Sequence, residues 1–165
     1  MQTSPLIRPL SPQDAPEIDR IQHLAYGEGL RELLDALVSR IHVAPDFCFA
    51  AQSPQHASLA AYILAHPWPA DASPGLDNVI TSLPDQSDAI HLHDMAVDPA
   101  FGGQGIATKL LDTLIDAARQ QGFHAITLVA VQDAAGFWKK RGFTPLRPAA
   151  GYDDDALFMR RSLTP

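Results

Sequence analysis

The chain is poor in sulfur and in basic charge. Cys48 is the single cysteine among 165 residues, so no internal disulfide can form and a reducing compartment is expected. Lysine and arginine together number 12 against 19 aspartates and glutamates, a formal net charge of -7. Binding nucleic acid needs clustered cations to neutralise phosphates, so that class is disfavoured. An acidic protein suits a cationic or neutral small molecule better. No apolar run is long enough to cross a bilayer, and the N-terminal MQTSPLIRPLSPQDAPE is broken by prolines and charges; no membrane partner is expected, and a cytoplasmic location is. Repeats, low-complexity tracts and linkers are also missing. A content of 46% hydrophobic residues is enough for a real core, and we expect one domain spanning 1-165.

What is present is a regular succession of short elements. Leu6 to Leu10 reads as a first strand. Ser11-Pro12-Gln13-Asp14 is a helix start, and Ile18, Ile21, Leu24 and Ala25 follow at helical spacing. A second helix is carried by Leu30, Leu33, Leu34, Leu37, Val38 and Ile41, and Pro45-Asp46 breaks it. Phe47 to Gln52 and Ser58 to Ala65 read as strands; Pro67 to Ser87, with four prolines, is the least regular stretch. Ala89 to Val97 is a strand. Ile106, Leu110, Leu111, Leu114, Ile115 and Ala118 form one stripe of a helix that Gly122 ends. Ala125 to Val131 is a continuous apolar strand, Ala134 to Arg141 a short helix, and Ala156 to Arg161 a last strand. The order β-α-α-β-β-β-α-β-α-β-β predicts an α/β (α+β) domain. A central mixed sheet of about seven strands contains one parallel pair and is flanked by about four helices.

The turn Phe101-Gly102-Gly103-Gln104-Gly105-Ile106-Ala107-Thr108 joins a strand to a helix. Glycines let the backbone approach a ligand, and successive amides at a helix N-terminus hold an anion. The spacing is neither GxxxxGK[ST] nor GxGxxG, so nucleoside-triphosphate and dinucleotide sites are disfavoured.

This stretch resembles motif A of the Gcn5-related N-acetyltransferases (GNAT), whose turn reads Q/R-x-x-G-x-G/A before an amphipathic helix. Gly105 and Ala107 match, and Gly102 stands where Gln or Arg is usual. The strand Ala125 to Val131, the helix AAGFWKKRGF and the returning Gly142-Phe143 are similar to the family's motif B, so the resemblance covers almost the whole chain. It implies a GNAT fold whose parallel strands splay, with acetyl-CoA as the acyl donor. Pantetheine would enter the splay and bond to the backbone of Met95 and Val97. The pyrophosphate would sit on the amides of Gly103, Gln104, Gly105, Ile106, Ala107 and Thr108. A backbone N–H of the Met95-Ala96-Val97 strand would polarise the thioester carbonyl.

Strict alternation places His91, His93, Met95 and Val97 on one strand face and Leu92, Asp94 and Ala96 on the other. Asp94 is therefore expected to face away from the histidines and make a hydrogen bond or salt bridge beneath the sheet. Two histidines two apart can also ligate a metal, but no third ligand lies nearby, and no metal is expected. Imidazole suits removal of a proton from a protonated amine, directly or through water. His91-Leu92-His93-x-Met95-Ala96-Val97 is similar to the HLHxLAV strand of the arylalkylamine (serotonin) N-acetyltransferases, which implies that proton-removal role for His91 and His93. Trp68 falls, after the third strand, where that group has a tryptophan.

Most GNAT members carry a tyrosine in the motif B helix as acid for the departing thiolate; the matching residue here is Trp138, whose indole cannot deliver a proton. A thiolate leaves tolerably without help, and Tyr152 or Tyr26 are other candidates. Phe137 and Trp138 are expected to pack around the CoA arm or in the core. Lys139, Lys140 and Arg141 read as a solvated helix face, with contact to the CoA phosphates as the alternative, and Cys48 as a buried structural thiol. The acceptor is expected among Tyr26 to Arg31 and Trp68 to Ser87. The sequence therefore points to transfer of acetyl from acetyl-CoA to a small-molecule primary amine, by a monomer or homodimer. The alternatives are a non-catalytic acyl-CoA-binding or sensing module and an acetyltransferase for a protein or peptide amine.

Overall fold

Seven strands and four α-helices follow one another in the computed structural model, which describes residues 4–164. They are β1 (Leu6–Pro9), α1 (Ala15–Ala25), α2 (Leu34–Val43), β2 (Phe49–Gln52), β3 (Leu59–Trp68), β4 (Ala89–Val97), α3 (Ile106–Gln120), β5 (Ala125–Ala130), α4 (Ala135–Lys139), β6 (Thr144–Pro148) and β7 (Leu157–Ser162). The strands form one mixed sheet in the order β1-β2-β3-β4-β5-β7-β6. β4 and β5 pair in parallel across the α3 crossover, and the other neighbours are antiparallel.

Each sheet face buries its own helices. On one face Ile18 and Ile21 of α1 and Leu37 and Ile41 of α2 pack against Tyr62, Leu64 and Ala96. On the other, the stripe Leu110, Leu111, Leu114 and Ile115 of α3 covers Ile63, Ile90, Leu92, Ile126 and Leu128, with Trp138 and Phe143 beside it. Truncating one such leucine to alanine costs about 2–5 kcal/mol.

Several boundaries differ from the sequence expectation, each for a local reason. Ser11 Oγ accepts the Gln13 N–H at 3.2 Å and Asp14 Oδ2 accepts the Ser11 N–H at 2.9 Å. The capped turn Pro12–Asp14 is 3-10, and regular helix begins at Ala15. The second helix begins at Leu34 rather than Leu30. Side chains capture the backbone before it: Gln22 bonds both main-chain groups of Glu32 at 3.0 Å, and Asp77 accepts the Leu33 N–H at 2.7 Å. Phe47 belongs to a 3-10 turn, Pro45–Phe47, and not to β2. β3 runs past Ala65 through Pro67 to Trp68, so Trp68 is the last residue of the strand and not beyond it. Proline is tolerated there because β2 pairs only with Leu59 to Ile63, leaving that stretch of β3 as an edge.

The departure that matters most lies in β4. Its register on β3 steps from Leu64 opposite Asp94 to Ala65 opposite Leu92, leaving His93 as an extra, unopposed residue. This bulge resets the alternation. Met95 and Val97 join Ile90 and Leu92 on the α3 face. Asp94 and Ala96 lie with the histidines on the α1–α2 face, where Asp94 meets Tyr26 and Tyr62. The expectation that Asp94 faces away from the histidines is thereby corrected.

Candidate active site

The parallel pair is short. Ile90, His91 and Leu92 pair with Ile126, Thr127 and Leu128, and pairing stops there although β4 continues to Val97 and β5 to Ala130. A narrow pocket of ≈ 70 Å³ opens where the strands part. Its walls include His93, Asp94 and Met95 from β4, Leu128 and Val129 from β5, and Tyr26, Glu32, Trp138 and Tyr152. Such a space holds a few waters.

The two sequence-predicted histidines occupy different depths. His91 is buried behind the pocket, with Nδ1 3.0 Å from Thr127 Oγ1. Burial, reinforced by the neighbouring His93 and His66, pushes its pKa well below the ordinary histidine value. His93 borders the pocket, and its side chain is only 1% exposed. Its Nε2 lies 2.7 Å from Glu32 Oε2, and its Nδ1 lies 3.5 Å from Nη2 of the fully buried Arg40. A third imidazole, His66 of β3, completes a triangle with ring centres 5.9 Å from His91 and 6.4 Å from His93. His66 Nδ1 bonds the Pro67 carbonyl at 3.0 Å, and its Nε2 has no partner.

Asp94 accepts hydrogen bonds from the Tyr26 and Tyr62 hydroxyls, both at 2.7 Å. Burial nevertheless leaves its carboxyl above the ordinary range. The Tyr26 oxygen is also 2.9 Å from the Met95 carbonyl, so Tyr26 stands at the strand expected to meet the cofactor. Ala96 is buried under α1 and α2.

Below the pocket the chain turns into α3. Asp98 fixes the turn: it accepts the Ala100 N–H at 2.9 Å and an Arg20 N–H at 2.8 Å. Gly103 and Gly105 take φ of +77° and +75°, which L side chains resist, whereas Gly102 has an ordinary φ of −62°. No side chain caps α3. The amides of Ile106, Ala107 and Thr108 therefore project from its positive end without intrahelical acceptors, as an anion would require. Gln104 is exposed beside them. Arg141 departs from the expected solvated face. It folds back so that Nη1 donates to the Phe137 carbonyl at 2.9 Å and Nη2 approaches Thr108 Oγ1 at 3.4 Å on the first turn of α3.

Trp138 is buried, edge-on to Phe137 at 4.9 Å and to Phe143 at 5.4 Å. Phe137 and Trp68 do not border the pocket; Trp68 instead packs edge-on to His66 at 5.3 Å. Burial pushes the Cys48 thiol up to about 12, which suits a structural role. The loop after β3 is tied to the β6–β7 loop by a Ser73–Tyr152 hydroxyl contact of 3.4 Å and to β6 by an Arg147 bond to the Asp71 carbonyl. The Glu32 carboxylate, accepting the Asp77 N–H at 2.9 Å, ties it to the segment before α2.

Glu32, Arg40, Thr127 and Tyr62 carry the site's polar contacts without having been singled out from the sequence. Tyr62 and Arg40 sit in apolar runs, and Glu32 in an apparent helix; an acidic residue inside an amphipathic pattern gives no sign of burial. Among the described residues, no three His, Cys, Asp or Glu side chains form a metal-holding group, and no helix is long and apolar enough to cross a membrane.

This geometry has counterparts among known proteins. The family model described as "Acetyltransferase (GNAT) family" matches residues 15–143. No curated protein sequence matches the chain. Among solved structures, Ard1 from Thermoplasma volcanium is 19% identical with a TM-score of 0.78, over 99% of this chain and 100% of that one. A GNAT-like decarboxylase, GphF, in complex with isobutyryl-CoA is 17% identical with a TM-score of 0.78, over 96% and 100%. The ribosomal-protein-S18-alanine N-acetyltransferase from Escherichia coli is 20% identical with a TM-score of 0.68, over 97% and 94%. These likenesses establish the fold, and the family model, matching well over half the sequence, establishes that the chain belongs to the GNAT acetyltransferase family.

Proposed function

We propose that the protein transfers acetyl from acetyl-CoA to the primary amine of a small molecule, by direct attack in a ternary complex. The observation that carries this reading is the opening of β4 from β5 beyond Leu92 and Leu128, onto a pocket bordered by His93 and Glu32. The backbone of Met95 and Val97, without a β5 partner, receives pantetheine, and the amides from Gly103 to Thr108 hold the pyrophosphate. Arg141 adds a cation beside that turn where Gly102 supplies no side chain. His93, with His91 behind it, serves the removal of the amine's proton, in keeping with the HLHxxAV similarity. CoA leaves as thiolate, because Trp138 has no acidic proton to give. Tyr26 shapes the acceptor side, and Trp68 acts at most through His66.

A peptide or protein amine is the second reading, favoured by the fold likeness to the S18-alanine N-acetyltransferase. The narrowness of the pocket, with Tyr152 of its wall tied to Ser73, argues for the small acceptor.

The test is a panel of small amines and N-terminal peptides with acetyl-CoA, reading released thiol. Turnover is expected with small primary amines, falling on the order of 10²-fold or more in a His91→Ala, His93→Ala double variant. Tight CoA binding with no acetylated product from any amine would instead indicate a binding module.

A further inference from the structure

We infer that Glu32 is the residue that binds the acceptor's ammonium group and takes its proton, with His93 and Arg40 as positioning residues. The inference rests on the acetyltransferase function proposed above and assigns its acceptor end.

Glu32 is held from all sides. Gln22, itself buried, grips the main chain of residue 32 at two points, 3.0 Å each, and so fixes where the side chain starts. Oε1 then accepts the Asp77 N–H at 2.9 Å, and Oε2 lies 2.7 Å from His93 Nε2. The side chain is 5% exposed, and the residue borders the pocket. A carboxylate oxygen carries two lone pairs, so one on each oxygen stays free for a ligand.

The tautomer of His93 decides which partner receives the proton. Arginine has only donors. With Arg40 Nη2 3.5 Å from Nδ1, that nitrogen carries the lone pair, and the ring hydrogen sits on Nε2, directed at Glu32. Arg40 cannot swing away, because its Nη1 also donates to the Ala36 carbonyl at 2.7 Å and to the Asn78 carbonyl. His93 is thus a donor that aims the carboxylate. Burial pushes the Glu32 carboxyl up, but its hydrogen bond and charge interaction with His93, the Asp77 amide and Arg40 outweigh it and hold the group below its ordinary value. An entering ammonium therefore meets an anion. The other ionisable groups that face Glu32 are Asp94 of β4, Tyr26 after α1, Tyr62 of β3 and Tyr152 of the β6–β7 loop.

In the step assigned here an ammonium N–H bond breaks and its proton passes to a free Glu32 lone pair, from which it leaves to solvent. The nitrogen pair forms the C–N bond, the C–S bond breaks with its electrons going to sulfur, and the nitrogen's remaining excess proton goes to the thiolate.

The test takes the best amine from the panel and measures kcat/KM against pH for the wild type, Glu32→Gln, His93→Gln and His93→Ala. Calorimetry with acetyl-CoA confirms that each variant is folded. Glu32→Gln is expected to lose on the order of 10²-fold or more across the pH range in which the wild type stays folded. His93→Gln keeps a donor for Glu32 and is expected to lose about tenfold or less, with His93→Ala losing more. Glu32→Gln with wild-type kcat/KM and profile, or His93→Gln falling as far as Glu32→Gln, overturns the inference while leaving the function standing. A wild type inactive on every amine overturns the function and this assignment together.

Discussion

The Arg141 guanidinium carbon lies 3.5 Å above the centre of the Phe137 ring. That stacking, with the Phe137 carbonyl bond, directs the guanidinium to the start of α3 instead of into solvent. A cation at the positive end of a helix is unfavourable unless an anion is shared. Charge reversal by Arg141→Glu should therefore raise KM for acetyl-CoA about tenfold or more, at nearly constant kcat, since a hydrogen bond to a charged group is worth roughly 1.5–3 kcal/mol. Steady-state kinetics with acetyl-CoA varied decides it. An unchanged KM would return Arg141 to the ordinary surface.

The glycine turn makes a second prediction. Gly105 caps α3 at φ +75°, and an added Cβ would meet nothing within 4 Å. The cost of Gly105→Ala is therefore backbone alone, roughly 1–2 kcal/mol for a left-handed alanine, or a fall of a few degrees in melting temperature. The strain relaxes where the pyrophosphate is proposed to bind, so KM for acetyl-CoA should rise too. Gly136 in α4 is the control: it also has open space and does not need positive φ, so Gly136→Ala should stabilise by about 0.5–1 kcal/mol. Equal melting temperatures for the two variants would contradict this.

These residues also mark how far sequence reasoning reaches. The element order, β4 from Ala89 to Val97 and the stripe of α3 were readable because burial imposes periods of 2 and 3.6 on side chains that must meet a core. The turn was readable because positive φ selects glycine at Gly103 and Gly105. The bulge at His93 was not. HLHDMAV alternates well enough to fit an unbroken strand, and an extra residue is a matter of backbone pairing against β3 that no side chain of β4 announces. Its effect was to move Asp94 to the histidine face. Glu32 was unreadable for a related reason: its burial is created by Gln22, Asp77 and His93, residues scattered along the chain that meet only in the folded protein. Arg141 sits in a run of cations whose pattern is that of a wet surface, and its reversal depends on the Phe137 ring one turn earlier.

The buried imidazoles should make the fold acid-sensitive. Burial, opposed only in part by the Pro67 carbonyl, lowers His66 from 6.5 to about 3, and His91 is lowered as well. The unfolded chain protonates these rings near their ordinary pKa while the folded protein leaves them neutral. Their contribution to stability is thus complete above pH 6.5 and is lost as pH falls from there toward about 3 for His66. Within that window each such histidine steepens the loss by about 1.4 kcal/mol per pH unit. The lowered carboxylates Asp14, Glu17 and Asp98 have the same sign, but their ordinary pKa of 3.8 to 4.5 sets their loss in more acidic solution. Urea unfolding at a series of pH values should therefore show stability declining well before the carboxylates titrate. His66→Gln removes one titrating ring, and its slope in the upper part of the window should be shallower by one proton. A variant whose stability falls with pH as steeply as the wild type would mean that His66 is protonated in the folded protein despite its unpartnered, buried Nε2.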